Sequence, residues 1–360
     1  MDYILIIKYA SFAFPIVAFL FTFPHILMQY HKYGSISFLK SIIIYLFIYY
    51  LICAYFLVIL PLPKISEVLR MTTPRVQLIP FDFVLDFINN SSFYITDIHT
   101  YIPAFFESYV YVPLFNIFLT IPFGMFLRYY FECSLKKVFV FSFLLSLFFE
   151  LTQLSGLYFI YPRGYRLFDV DDLILNTIGG ILGYFILNLF IKYLPKISEI
   201  NSVALKHGQK ITGFKRTTSC ILDIFIFLVL YLFVTILFKG KNYFYFTVFL
   251  YYFIFPIVLK GSTIGEKFLN LKIVDDSLEF NYIKLLIRRI IFIFIYFFFP
   301  IISVYILSSA SFSYLKLFVF LIFFTILIIF YIISFIKFLF SNKQMLYEKI
   351  SNTKLVSTIK

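Results

Sequence analysis

The sequence is short of charged residues. Asp, Glu, Lys and Arg make up 14% of its 360 positions, whereas an ordinary soluble domain has about 25%. Hydrophobic residues make up 62%, and the mean hydropathy is +0.95. Folded in water, such a chain would leave far too much apolar surface uncovered. The composition therefore excludes a soluble enzyme, a disordered chain and a secreted disulfide scaffold, and it predicts a polytopic membrane protein.

Cysteine and histidine are also scarce. None of these residues has a partner at a spacing typical of a zinc site, and none forms an H-x-x-x-H or H-E-x-x-H motif. They are Cys53, Cys133, Cys220, His25, His31, His99 and His207. We therefore expect no metal site, disulfide or cofactor, and catalysis is not favoured.

What the sequence does contain is a series of long apolar runs. A transmembrane helix needs about 20 apolar residues, and backbone groups in lipid must be paired, so each run is predicted to be helical. The predicted spans are 8–29, 41–60, 110–128, 136–155, 172–194, 218–238, 243–259, 286–307 and 315–338. The predicted fold is an all-α polytopic membrane bundle of about nine transmembrane helices.

The distribution of Lys and Arg predicts the orientation of this bundle. The basic segments are 30–40, 128–137, 192–216, 260–289 and the tail from 337. With nine spans, all five fall on one side, which the positive-inside rule assigns to the cytoplasm. The N-terminus is then outside and the C-terminus inside the cell, in a multi-pass protein of the cell membrane. The net charge of +13 indicates attraction to anionic lipids, and no binding to nucleic acid is expected.

A basic stretch divides the chain into two parts. We predict a five-helix domain over 1–194, a cytoplasmic linker over 195–211 and a four-helix domain over 212–360. The long loop 61–108 has a pattern consistent with a short amphipathic helix near 78–88, on the outer membrane surface.

The first polar constellation lies around the predicted fourth and fifth spans. Glu150 and Gln153 share one helix face, near the predicted outer end of the fourth span. A carboxylate in hydrocarbon should face a bundle interior or a cavity. Its predicted partners are Arg163 and Arg166 in the following loop and Asn176 in the fifth helix.

The start of the fifth helix is acidic. Asp169 is a predicted N-cap, with Asp172 three residues later as in a capping box, and Asp171 and Asp172 suit the helix dipole. Gly179 and Gly183 form a small-xxx-small pattern that permits close helix approach. Two interpretations stay open: helix capping with an interhelical ion pair, or a pocket for a lipid head group, a polar ligand or an ion.

These motifs together resemble those of the VanZ-like family of bacterial membrane proteins over roughly residues 40–190. The matching strings are N-I-F-L-T-I-P-F-G at 116–124, E-L-T-Q at 150–153, R-L-F-D-V-D-D at 166–172 and L-N-T-I-G-G at 175–180. The family is associated with reduced susceptibility to glycopeptides of the teicoplanin type. The resemblance marks six positions for test: Glu150, Gln153, Arg166, Asp169, Asp172 and Asn176.

The second constellation lies in the C-terminal half. Arg216 and Asp223 are seven residues apart, on one face of the sixth span. The other members are Gly261, Gly265 and Lys267 in a glycine turn, and Arg288 and Arg289 at the eighth span. One interpretation has the basic residues anchoring helix ends at anionic lipid, with Asp223 paired to one of them. The other is an ion or proton site at Asp223.

This half resembles the RDD family over roughly 212–357. The resemblance rests on Arg216 with Asp223, on G-S-T-I-G-E-K-F-L-N-L-K-I-V at 261–274, on Arg288-Arg289 and on Y-E-K-I-S-N-T-K-L-V at 347–356. Glu348 stands where the family tends to have Asp. Ion transport has been suggested for some RDD proteins.

Three functional hypotheses result. The first is a protein that modulates the cell envelope or glycopeptide tolerance, with lipid head groups or lipid-linked cell-wall precursors as partners. The second is an ion- or proton-coupled transporter using Asp223 and Arg216. The third is a membrane-embedded enzyme acting on a lipid-linked intermediate, with Glu150 and an Asp as an acid–base pair.

Overall fold

A computed structural model of the chain describes residues 3–239, 243–308, 314–340 and 343–359. The first part of the chain is helical, with one short strand pair. Its elements are α1 (Tyr3–Tyr33), α2 (Phe38–Ile59), α3 (Ile65–Arg70), β1 (Val76–Gln77), α4 (Asp82–Asn90), α5 (Tyr101–Phe105), α6 (Ser108–Tyr129), α7 (Leu135–Leu154), the single turn α8 (Gly156–Phe159), β2 (Phe168–Asp169) and α9 (Val170–Phe190).

The second part adds a small antiparallel sheet to the helices. Its elements are α10 (Ile197–Gly208), α11 (Gly213–Leu237), α12 (Phe244–Phe249), a π-helical segment (Leu250–Ile254), α13 (Phe255–Val258), α14 (Ile264–Phe268), β3 (Leu271–Asp275), α15 (Tyr282–Ile293), a second π-helical segment (Phe294–Phe298), α16 (Phe299–Ser308), α17 (Tyr314–Phe340), α18 (Leu346–Ile350) and β4 (Thr353–Ser357).

Eight helices of the described chain are long and apolar enough to cross a membrane, which confirms a polytopic helical membrane bundle. They correspond to eight of the predicted spans. The predicted span 243–259 is instead a shorter apolar helix over Phe244–Val258, and at about 1.5 Å per residue it falls short of a hydrocarbon core about 30 Å thick. The predicted outer connections 239–242 and 308–314 lie largely outside the described residues. The inside–outside orientation stays a prediction.

The chain divides into two compact units. The first unit comprises Met1–Thr22 and Phe38–Ile200, and the second comprises Phe23–Ser37 and Asn201–Lys360. The end of α1 therefore belongs to the second unit, although the sequence places it far from the rest of that unit. The predicted domains, 1–194 and 212–360 with a linker over 195–211, resemble two different families, and their assignment to those families stays a prediction.

Close packing of α9 organises the first unit. A Cβ atom at Gly179 would overlap the Ile117 carbonyl and the Thr120 hydroxyl of α6, and one at Gly180 would overlap the Ser142 hydroxyl of α7. Gly183 stands equally close to the Ile121 carbonyl of α6. Small residues thus let α9 approach both neighbours, as the Gly-x-x-x-Gly pattern predicts.

The two ends of the first unit differ in their loops. At one end, Lys40 lies 5.8 Å from the centre of the Tyr130 ring, and the Tyr129 hydroxyl donates to the Pro195 carbonyl at 2.8 Å. These are the basic connections of the unit. At the opposite end, β1 pairs in parallel with β2. The predicted surface helix near 78–88 is present there as α4, and Val84, Leu85 and Ile88 on it are exposed.

The second unit has its core where four basic segments meet. Strands β3 and β4 pair antiparallel, with Leu271 opposite Ser357, and Tyr30 from α1 packs with Leu271 and Leu355. The Asn270 amide donates to the His31 carbonyl at 2.7 Å. The end of α1, the α10–α11 loop, the glycine turn and the tail are therefore neighbours, as the predicted arrangement of basic segments requires.

Candidate functional site

The N-terminus of α9 is held by two aspartates. The Asp169 carboxylate accepts a hydrogen bond from the Asp171 N–H at 2.8 Å, which makes Asp169 the N-cap of α9 as predicted. Asp171 is buried, and its carboxylate accepts from the Phe81 N–H at 2.6 Å and the Phe83 N–H at 3.1 Å. Asp171 thus joins the start of α9 to the start of α4, a role that sequence reasoning missed.

Glu150 completes the cap from a different helix. Its side chain is 2% exposed, and Oε2 accepts a hydrogen bond from the Asp169 N–H at 2.9 Å. The predicted capping box, in which Asp172 would take that N–H, is wrong. Asp172 instead accepts a hydrogen bond from the Asn116 amide of α6. The carboxylate from α7 reaches the N-cap N–H, which leaves Asp172 free to turn toward α6.

Small polar side chains continue this network along α9. The Ser146 hydroxyl donates to the Asp172 carbonyl at 3.1 Å and accepts from the Asn176 amide at 3.0 Å. Thr120 donates to the Asn176 carbonyl at 2.7 Å. Within the described chain, the buried Asn176 Oδ1 has no hydrogen-bond partner. We call Asn116, Ser146, Glu150, Asp169, Asp172 and Asn176 the carboxylate cluster.

The arginines of the following loop do not pair with these carboxylates. Arg166 donates to the Leu60 carbonyl, and Arg163 donates to the carbonyls of Met71 and of Thr73. Over the described ranges, neither arginine lies within 4 Å of a carboxylate oxygen. The predicted ion pair with Glu150 is therefore absent there, because the carbonyls of the 59–73 segment take the guanidinium donors.

Gln153 serves the same loop attachment. It is buried, and its amide donates to the Val58 carbonyl at 3.1 Å. The Tyr165 hydroxyl donates to the adjacent Ile59 carbonyl at 2.7 Å, and Tyr161 donates to the Pro63 carbonyl at 2.9 Å. Gln153 thus shares the Glu150 helix face, as predicted, but binds α2 rather than the carboxylate cluster.

The electrostatics of the cluster are acidic. Arg166 is near enough to interact with Asp172 and Glu150, but burial lowers its pKa. Burial raises the pKa of Asp169, while the hydrogen bond from Asp171 acts in the opposite direction. Three carboxyl groups thus meet mainly neutral donors. Chemically, the cluster can accept hydrogen bonds or hold a proton or a cation. The neighbouring carboxyl groups also meet one requirement of the acid–base hypothesis, which stays a hypothesis.

Asp223 has a different environment from the one expected. The Tyr251 hydroxyl donates to its Oδ1 at 2.6 Å, the Gly265 N–H to the same oxygen at 2.8 Å, and the Thr263 hydroxyl to Oδ2 at 2.7 Å. Among the ion pairs of the described residues, none involves Asp223, so its predicted pairing with a basic residue is wrong. Three neutral donors occupy the space where a cation was expected.

Sequence reasoning missed two of these donors. Tyr251 lies in an apolar run that also contains many other tyrosines and phenylalanines, so nothing distinguishes it in the sequence. Thr263 lies two residues after Gly261 in the predicted turn and forms a capping box with Glu266. A threonine three residues before a glutamate is a recognisable signal for that structure.

The arginines of the second unit converge on Glu348. Arg288 lies 2.8 Å from Glu348 Oε1, and Arg216 lies 3.8 Å from Oε2. Oε2 also accepts from the Met345 N–H at 2.7 Å, and Arg288 donates to Thr353 at 3.1 Å. The structure thus brings Arg216 and Arg288 together, with a carboxylate that the prediction treated only as a departure from the family pattern.

Two predicted residues play no part in this cluster. Gly261 has a positive φ of 102°, and its carbonyl accepts from the Ile273 N–H at 2.8 Å, so it shapes the turn before β3. Lys267 is exposed on α14. A third predicted residue, Arg289, pairs with Glu266 at 3.3 Å rather than with Glu348.

Comparisons with known proteins support the predicted family resemblance of the N-terminal part of the chain. Residues 47–192 match the sequence model of the VanZ/LLP1 family, and this range contains all members of the carboxylate cluster. Searches of curated proteins and of solved structures returned no match. The RDD resemblance of the C-terminal half has no support from these comparisons and stays a prediction. The eight long apolar helices make the chain a multi-pass membrane protein, and its residues 47–192 are similar to the VanZ/LLP1 family.

Proposed function

We propose that the carboxylate cluster faces the outside of a bacterial cell membrane and lowers susceptibility to glycopeptides of the teicoplanin type. The observation that carries this proposal is the position of the buried Glu150 and the half-buried Asp172 among neutral donors, at the unit's end opposite its basic loops. The positive-inside rule then assigns this end to the outer leaflet. The match of residues 47–192 to the VanZ/LLP1 family supports the proposed role in glycopeptide susceptibility.

The proposed action is binding rather than catalysis. Carboxyl groups without a basic partner in the membrane are costly unless a ligand or a proton offsets their charge. A ligand that donates hydrogen bonds or carries positive charge would meet this requirement. The outer-leaflet position suits a lipid head group or a lipid-linked cell-wall precursor, and binding of either would modulate the cell envelope.

Antibiotic susceptibility of the source bacterium tests this proposal. Deletion of the gene should lower the inhibitory concentration of teicoplanin-type compounds, and the wild-type gene should restore it. Glu150→Gln and Asp172→Asn, at matched membrane expression, should fail to restore it. Asp86→Asn removes an exposed carboxylate of the same unit and should restore tolerance fully. Full restoration by both cluster variants would contradict the proposal.

For the second unit, we propose an RDD-like domain that couples movement of a proton or cation to Asp223. Asp223 is 6% exposed and is held by three neutral donors from two other helical segments. Tyr251 lies in a π-helical segment, and such segments occur frequently at functional sites. An acidic side chain inside a span without a basic partner is typical of ion pathways.

Flux measurements test this second proposal. Purified full-length protein in vesicles should carry a proton or monovalent-cation flux that is lost in Asp223→Asn. Asp276→Asn, which neutralises an exposed carboxylate of the same unit, should leave the flux unchanged. Thermal unfolding of each variant in detergent shows whether the loss reflects misfolding. Flux no greater than in empty vesicles would overturn the proposal.

A further inference from the structure

An open cavity of about 510 Å³ lies within the second unit and has no part in either proposed function. Its walls come from the α10–α11 loop, the first turn of α11, the residues before α18 and strand β4. Lys210, Arg216, Gln344 and Lys354 are among the residues that line it. None of the residues that line the cavity is acidic.

Arg216 is the unusual member of this lining. Its side chain is 6% exposed, yet its charge is only partly compensated. Nη1 donates to the Lys343 carbonyl at 3.1 Å, whereas the nearest carboxylate oxygen, on Glu348, lies 3.8 Å from Nη2. That distance is too long for a hydrogen bond.

Both carboxylate oxygens of Glu348 already have partners other than Arg216. Arg288 lies 2.8 Å from Oε1, and the Met345 N–H donates to Oε2 at 2.7 Å. Within the part of the chain that the structure describes, the buried Arg216 Nε has no partner. One carboxylate thus faces two arginines, and it compensates the charge of the second, Arg216, only in part.

The other walls add positive charge and hydrogen-bond donors. Lys210 is exposed and Lys354 is half-buried, and neither forms an ion pair with a described residue. Gln344 adds an amide group. Strand β4 is paired with β3 alone in the described chain, and four consecutive β4 residues line the cavity. Consecutive lining residues indicate that the strand edge, with its backbone N–H groups, faces the cavity.

The position of the cavity favours a lipid. Arg216 lies in the first turn of the spanning helix α11, and Gln344 follows soon after the spanning helix α17. Basic side chains at the ends of spans lie at the level of lipid head groups. Three cations and several N–H donors converging on one opening match a phosphate group, because guanidinium groups bind phosphate oxygens well.

We propose that this cavity binds a phosphate group, carried by the head group of an anionic phospholipid or by a soluble phosphate compound. Arg216 would supply its partly compensated guanidinium charge, and Lys210 and Lys354 would supply charge at the mouth. Binding of the phosphate group would neutralise the part of the positive charge on Arg216 that Glu348 does not neutralise.

Thermal stabilisation of the full-length protein in neutral detergent tests the proposal. The probes are phosphatidylglycerol in mixed micelles, phosphatidylcholine as the zwitterionic control, and inorganic phosphate. Phosphatidylglycerol should raise the unfolding temperature saturably. The double variant Lys210→Gln/Lys354→Gln should raise the half-saturating concentration about tenfold or more, since each cation contributes roughly 1 kcal/mol to binding an anionic lipid. Lys206→Gln/Lys349→Gln removes the same charge from exposed positions outside the cavity and should change it less than about twofold.

The remaining outcomes are distinct. Saturation by phosphatidylglycerol alone identifies a lipid, and saturation by inorganic phosphate with the same dependence on Lys210 and Lys354 identifies a soluble ligand. Either supports the proposal. Absence of saturation by both probes overturns it, and so does an equal loss in the two double variants. Arg216→Lys, which keeps the charge and removes the planar guanidinium group, should weaken binding. The ligand-free unfolding temperature of this variant shows whether the fold is intact.

Discussion

The two units bury their acidic side chains in opposite ways. In the first unit, Glu150 and Asp172 accept hydrogen bonds from a backbone N–H and an amide, and nearby Arg166 donates to a carbonyl instead. In the second unit, Glu348 is matched by Arg288, with Arg216 beyond it. Asp223 is the exception in the second unit, because it too meets only neutral donors.

This difference separates structural groups from candidate functional ones. A buried carboxylate held by arginines has its own charge compensated, and it holds the ends of chain segments together. A buried carboxylate held by neutral donors keeps an uncompensated charge, which a proton, a cation or a ligand must offset. On this criterion, Glu348 is a structural carboxylate, whereas the carboxylate cluster and Asp223 contain the carboxylates at which a proton, a cation or a ligand is expected to bind.

The largest expected effect compares matched neutral variants of the two units. Glu348→Gln should lower the free energy of unfolding by about 3–5 kcal/mol, because it leaves Arg288 and Arg216 buried without an anion. Glu150→Gln should cost only about 1 kcal/mol, because an amide oxygen can still accept the Asp169 N–H. Denaturant unfolding of the detergent-solubilised protein measures both. Equal losses would end the distinction between the two kinds of carboxylate.

A smaller effect concerns the close packing of α9 against α7 in the first unit. Gly180→Ala should destabilise by about 1–3 kcal/mol, because its Cβ would overlap the Ser142 side chain. Adding Ser142→Gly should restore much of that loss. Gly179→Ala is the matched control, since its Cβ meets the backbone carbonyl of Ile117, which no substitution at 142 removes. Rescue of both glycine variants by Ser142→Gly would show that this packing geometry is wrong.

The smallest effect is a pH dependence that has opposite signs in the two units. Hydrogen bonds from the Ser277 hydroxyl and from Lys284 lower the pKa of Asp275 to about 2, from an ordinary value near 3.9. Its stabilisation is therefore present above about pH 4 and is lost as the pH falls toward 2. Burial raises the pKa of Asp169, so its contribution diminishes as the pH rises from about 3.9 through that raised pKa.

Unfolding temperatures measured from pH 2 to pH 5 test these signs. Asp275→Asn should reduce the loss of stability at the acid end of this range. Asp169→Asn, which retains an N-cap residue, should reduce the decline in unfolding temperature as the pH rises above about 3.9. If both substitutions shifted the pH dependence of the unfolding temperature in the same direction, the prediction of opposite signs would be wrong.

Part of the site could be predicted from local patterns. Asp169 as an N-cap follows from its position directly before an apolar periodic run, and the close approach of another helix to α9 follows from the spacing of Gly179 and Gly183. These features depend on residues within one or two turns of each other. The identity of the partners did not follow: Arg166 binds Leu60, and Asp223 binds Tyr251, across long stretches of chain. Charge pairing suggested salt bridges in both places, and neutral donors or carbonyls took those positions.

The sequence by itself determined that this protein is a bundle of membrane helices, because apolar runs of that length must satisfy their backbone groups internally in lipid. It also identified which segments carry the polar groups. Only the tertiary structure decided which of those groups meet. A buried donor or acceptor takes whichever partner the packing brings within hydrogen-bond distance, and that neighbour is set by how helices from distant parts of the chain pack together.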